Sequence, residues 1–143
     1  MPPGESDGYP QDAEARQNLK AGKVVLVVED EVLIRLDLVD HLERAGFTVR
    51  EASRADGAVE ILKGTEVVDA VVTDIRMPGR MDGLALMSWI RDNRGATPII
   101  ATSGYITEED ARKANPMAII AMKPYAPKDI VSLLMSLLER PSQ

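Results

Sequence analysis

The sequence predicts an α/β fold, a doubly wound parallel sheet with helices on both faces. Two observations carry that expectation. Continuous apolar runs recur at residues 24–28, 68–73, 99–102 and 118–122, and strands that are apolar on both faces belong to a parallel sheet covered by helices. Segments with helical spacing of apolar residues lie between these runs, so strand and helix alternate along the chain. Alternation of this kind implies right-handed crossovers.

The elements follow in order. Val24–Val28 is the first strand. Val32–Ala45 places Ile34, Leu38, Leu42 and Ala45 on one helical face, and Gly46 stops it. Phe47–Ala52 alternates and carries Arg50 and Glu51, which marks an edge strand. Arg54–Lys63 follows Ser53, a good N-cap, with Asp56 at the capping-box position, and ends at Gly64. Val68–Thr73 is the third strand, and the helix Leu84–Asn93 starts after Asp82 and ends before Gly95. Ile99–Thr102 is the fourth strand. Thr107 can cap a short helix through about Ala114, which Pro116 forbids from continuing. After the fifth strand, Ala118–Met122, Pro127 suits the first turn of a last helix whose buried stripe is Ile130, Leu133, Leu134, Leu137 and Leu138. Val131 and Met135 fall outside that stripe and are expected to face a partner.

Bulk properties bound the function. A length of 143 residues with 45% apolar content suits one domain, and a net charge of −6 disfavours direct nucleic-acid binding. Cysteine is absent, which excludes disulfides and thiolate metal sites. No apolar run approaches the roughly 20 residues of a membrane span, and the N-terminus has neither the basic nor the apolar region of a signal peptide. The expectation is a cytoplasmic protein with a flexible tail over residues 1–22, a folded domain over 23–140 and no output domain.

Ligands of such sheets bind beyond the carboxyl ends of the strands. Glu29 and Asp30 end the first strand, Asp74 the third, Ser103 the fourth and Lys123 the fifth. Three carboxylates crowded on one rim need a cation, and oxygen-only ligands suit Mg²⁺. A carboxylate beside that ion can attack a phosphoryl group. Lys123 and the Ser103 hydroxyl can then neutralise charge on the phosphoryl oxygens.

The order VVLVVEDE, VVTDIRMPG, PIIATSG and MKPY resembles the receiver domain of two-component response regulators, over about residues 23–140. The resemblance implies a five-stranded sheet of flavodoxin-like order 2-1-3-4-5. It also implies that Asp74 is the phosphoacceptor, taking phosphate from a sensor histidine kinase or a phosphotransfer protein. Mg²⁺ would be held by Asp30, Asp74 and the Arg76 backbone carbonyl, with Glu29 acting through water. Ser103 would be the switch hydroxyl, Lys123 the conserved lysine, and the Lys123–Pro124 bond cis. Output would run through the fourth helix, fifth strand and fifth helix to a downstream protein or a second copy. The protein would catalyse only its own phosphorylation and dephosphorylation.

The sequence also departs from the common receiver pattern. Arg80 is an extra residue in MPGRMDG, and Ile120 stands where many receivers carry a switch aromatic. Tyr105 supplies an aromatic instead, and the segment from Ser103 to Lys123 is short. These features are similar to receivers paired with HWE-type histidine kinases. Arg76 and Tyr105 each lie two residues past a site residue and are large enough to shield an acyl phosphate from water, so slow autodephosphorylation is expected.

Two other functions compete. A phosphohydrolase of the haloacid-dehalogenase type would need an Asp two residues after Asp74, where this chain has Arg76. A receiver-like module that no longer takes phosphate would not need the complete set of site groups. Elsewhere plain readings suffice: His41 as a surface residue, Trp89 as packing, and Glu108, Glu109 and Asp110 as favourable charges in a helix's first turn.

Overall fold

The computed structural model describes residues 22–77, 79–104 and 108–138. Its elements are β1 (Val24–Val28), α1 (Val32–Arg44), β2 (Thr48–Ala52), α2 (Ala55–Lys63), β3 (Ala70–Asp74), α3 (Gly83–Asn93), β4 (Ile99–Ser103), α4 (Glu108–Ala114), β5 (Ile119–Met122) and α5 (Pro127–Leu138). The strands pair in parallel in the order β2-β1-β3-β4-β5. Residues 1–21 of the expected tail, the Thr107 cap and Tyr105 lie outside the described residues.

The period-two geometry of the strands divides the apolar runs between two cores. Leu26, Val28, Val71, Ile99 and Ala101 face α2, α3 and α4. Val25, Val27, Ala70, Val72 and Ile100 face α1 and α5. Leu26, Leu38, Leu86, Ile90, Ile130 and Leu134 are fully buried, and each such side chain stabilises the fold by roughly 1.5–3 kcal/mol. Among the described residues no helix is long and apolar enough to cross a membrane.

Register positions the site. Val28 pairs with Thr73, Asp74 with Thr102, and Ser103 with Met122. The carboxyl ends of the four strands β1, β3, β4 and β5 therefore lie level along one rim.

Three expectations need correction. Val131 and Met135 are buried, because α5 sits in the crease between the sheet and α1 and so buries two adjacent rows of side chains. Leu133, Leu137 and Leu138 are only partly buried against that cluster. Ser53 does not cap α2: the N-cap is Arg54, without a side-chain cap bond, and the Asp56 carboxylate accepts instead from the Gly57 amide at 3.1 Å. Finally, β5 is covered less than a central strand, and Met122 is exposed, because β5 is an edge strand and the neighbouring α4 is short.

Candidate phosphoryl-acceptor site

The β1–α1 turn carries the acidic pair. Glu29 is buried, and its Oε2 accepts from the Glu31 amide at 3.0 Å. Asp74, the last residue of β3, is also buried, and its Oδ1 accepts from the Arg76 amide at 3.3 Å. The Lys123 ammonium arrives from the end of β5 and lies 3.2 Å from both Glu29 Oε1 and Asp74 Oδ2. The Lys123–Pro124 peptide bond is cis. Ser103 is buried at the end of β4, where its carbonyl accepts from the Lys123 amide at 2.8 Å.

Electrostatics follow from crowding. Burial pushes the Glu29 carboxyl above its usual range, and the neighbouring Asp74 charge adds to this against the Glu31 amide and Lys123. Burial likewise pushes Asp74 up, opposed mainly by Lys123. Burial alone would lower Lys123, but the charges of Asp74 and Glu29 outweigh it and hold the ammonium above its ordinary value.

The donor set fits a hard divalent cation. Glu29, Asp30 and Asp74 each present a carboxylate oxygen within 4.8 Å of the others, whereas Lys123 supplies one positive charge against three negative ones. Oxygen donors in this number suit Mg²⁺, which retains several waters.

The site opens into a cleft of about 900 Å³ between α1 and the β5–α5 loop. Asp30, Asp74 and Lys123 line it together with Ile34, Tyr125 and Pro127. Arg76 is exposed and lines the same cleft. Tyr125 was not singled out in the sequence. Its burial, reinforced by the charges of Glu29, Asp74 and Asp37, pushes its hydroxyl well above the ordinary tyrosine value and keeps it protonated. Its position two residues after Lys123 was the available signal. The loop after Asp74 turns at Gly79, where φ is +114°. Ile120 is partly buried against the core beside α4.

This fold and rim define a class of protein, and comparison with known sequences gives the same class. Residues 25–135 match the family profile of the response regulator receiver domain, so the chain belongs to that family. It is 34% identical over 131 residues to the sensor kinase CckA of Brucella abortus, covering 89% of this chain and 14% of that protein. It is 36% identical over 124 residues to the transcriptional regulatory protein ResD of Bacillus subtilis, covering 83% and 49%. The chain thus spans half or less of the length of these two relatives. A crystal structure of a response regulator receiver protein from Sinorhizobium medicae superposes with a TM-score of 0.75 at 33% identity, covering 81% of this chain and 94% of that one. Receiver domains are signalling domains that take phosphate from histidine kinases or phosphotransfer proteins, and they bind Mg²⁺ at an acidic pocket.

Proposed function

We propose that this chain is a Mg²⁺-dependent phosphorylation switch in which Asp74 accepts the phosphoryl group. The observation that carries the reading is the convergence of the Glu29, Asp30 and Asp74 carboxylates within 4.8 Å, with Lys123 at 3.2 Å from two of them. A carboxylate oxygen of Asp74 bonds to phosphorus. The bond from phosphorus to the donor atom breaks, its electron pair leaves with the donor, and an acyl phosphate remains. Bound Mg²⁺ would supply positive charge for the phosphoryl oxygens, held by Asp30, Asp74 and the Arg76 carbonyl, with Glu29 acting through water. Lys123 would pair with a phosphoryl oxygen, and the Ser103 hydroxyl would bond another and draw its loop inward.

The donor in this proposal is a protein, a histidine kinase or phosphotransfer protein. Val32, Leu33 and Leu36 are exposed apolar residues on the first turns of α1, the helix whose Ile34 and Asp37 line the cleft. A small phosphodonor has no use for them, whereas a docking protein surface does. Output is proposed to run through α4, β5 and α5, where Met117 and Met122 are exposed.

The test is labelling with radioactive acetyl phosphate. Wild type is expected to take label with Mg²⁺ and to lose it when the metal is chelated, and Asp74→Asn is expected to take none. Label retained in Asp74→Asn would move the acceptor elsewhere. Sustained turnover of small phosphate esters would favour a phosphohydrolase instead. Arg76, on the rim of the cleft, is proposed to limit the approach of water. The acyl phosphate is therefore expected to decay faster in Arg76→Ala, and an unchanged lifetime would remove that role.

A further inference from the structure

Two of the carboxylates proposed above for the metal, Glu29 and Asp30, sit on a turn that another residue holds in place. Arg35 lies on α1, and its side chain is only 16% exposed. Its Nη1 donates to the backbone carbonyl of Glu29 at 2.7 Å, and its Nε donates to Glu51 Oε1 at 3.1 Å. One guanidinium therefore joins three elements: α1, the end of β1 and the end of β2. The bond to Glu29 is the important one. A peptide unit is planar, so fixing the Glu29 carbonyl fixes the plane that runs into Asp30. That plane fixes the N–Cα axis about which Asp30 turns, and so restricts where its carboxylate can lie relative to Glu29 and Asp74. The next peptide carries the Glu31 amide, which donates back to Glu29 Oε2 at 3.0 Å and ties the far side of Asp30 to the same turn. A planar guanidinium can serve two acceptors in fixed directions, which a lysine ammonium on a flexible stem does less well.

We propose that Arg35 is a positioning residue for the acidic pair, holding the Glu29–Asp30 peptide so that the carboxylates are arranged for Mg²⁺ before the ion arrives. Arg35 touches neither phosphate nor metal in this role. The inference rests on the proposed metal-dependent function.

The experiment measures Mg²⁺ affinity by calorimetry in wild type, Arg35→Ala, Arg35→Lys and Arg94→Ala. Arg94 is the comparator because its Nη1 makes a bond of the same kind, to the Leu62 carbonyl at 2.8 Å, between α2 and the end of α3. Arg35→Ala is expected to weaken Mg²⁺ binding about tenfold or more, the usual cost of losing a group that orients metal ligands. Arg35→Lys is expected to recover part of that loss, and Arg94→Ala to bind as wild type does while also lowering the melting temperature. Amide exchange without metal supplies a second readout: the Glu31 amide is expected to exchange faster in Arg35→Ala and at the wild-type rate in Arg94→Ala. If wild type binds Mg²⁺ and takes label while Arg35→Ala binds equally well, the positioning role is overturned and the proposed function stands. Equal weakening in Arg94→Ala would also overturn it, because the effect would then be general destabilisation. A wild type that binds no Mg²⁺ would overturn both.

Discussion

Asp74 is a buried carboxylate next to two others, and burial is the main force on it. Its folded pKa lies above the unfolded one, so the native state holds the proton more tightly. Stability therefore falls as pH rises from the ordinary carboxylate range through the raised value, and Glu29 acts in the same direction. Lys123 is also raised. Its contribution is present below the ordinary lysine value and is lost as pH rises through the higher folded one. Removing the Asp74 charge has a definite consequence. Without metal at neutral pH, Asp74→Asn is expected to melt several degrees above wild type, despite losing its partner in Lys123. The advantage should shrink as pH falls and the wild-type carboxyl becomes protonated. In excess Mg²⁺ the order should reverse, since only wild type keeps all three carboxylates and gains the full binding free energy. Thermal melts across pH, with and without Mg²⁺, check all three parts.

At the scale of elements, the approach of α3 to β3 sets the geometry of the backbone at Asp74 and Ile75. Asp82 caps α3 by accepting from the Ala85 amide at 2.9 Å, as its position before the helix predicted. Gly83 then passes directly over the strand end, and its amide donates to the Ile75 carbonyl at 2.8 Å. A Cβ at position 83 would lie 2.2 Å from the Asp74 carbonyl oxygen and 2.4 Å from the Ile75 Cα. Those neighbours are backbone and cannot rotate away. Gly57 provides a contrast inside α2, since a Cβ there would meet only the Ala52 Cβ at 3.9 Å. Gly83→Ala is expected to destabilise the fold by roughly 1–3 kcal/mol through overpacking. Gly57→Ala is expected to stabilise it by about 0.4–1 kcal/mol through reduced backbone entropy of the unfolded chain. Urea denaturation of the two variants checks both signs. The sequence shows two glycines in or beside helices and does not distinguish them, because the difference lies in what the topology brings alongside.

At the scale of the whole molecule, the sheet has two edges, β2 and β5, and they differ. The end of β2 is tied to the body by charge, through Glu51 to Arg35 and Arg50 to Glu66. β5 leaves Met122 exposed at its end, and Met117, before its start, is exposed too. A test of the proposed output face therefore belongs on these methionines and not on Val131, which is wholly buried. If the proposed face serves a second copy of the chain, phosphorylated wild type is expected to self-associate in sedimentation velocity, and Met122→Glu is expected to take label at the wild-type rate without associating. Loss of labelling together with association would show that the face is not separate from the site.

Taken alone, the sequence determined the layering and which polar groups meet on one rim. Its four apolar runs specified strands in alternation with helices, because burial on both faces leaves no other pattern for a parallel strand, and the alternating Phe47–Ala52 supplied the fifth, at an edge. It also located Glu29, Asp30, Asp74, Ser103 and Lys123, because a strand end is a local feature and the ligand side of such a sheet follows from topology. Tertiary structure decided what depends on several elements meeting. Whether α5 buries one row or two is set by its seat against α1, which its own periodicity does not encode. Tyr125 becomes a wall of the cleft only when α1 packs opposite it. Arg35 finds Glu29 and Glu51 only because β1 and β2 pair in one register, with Val27 beside Glu51. Side-chain type and local spacing can be read along a chain, whereas distance between residues far apart in sequence exists only once the sheet has formed.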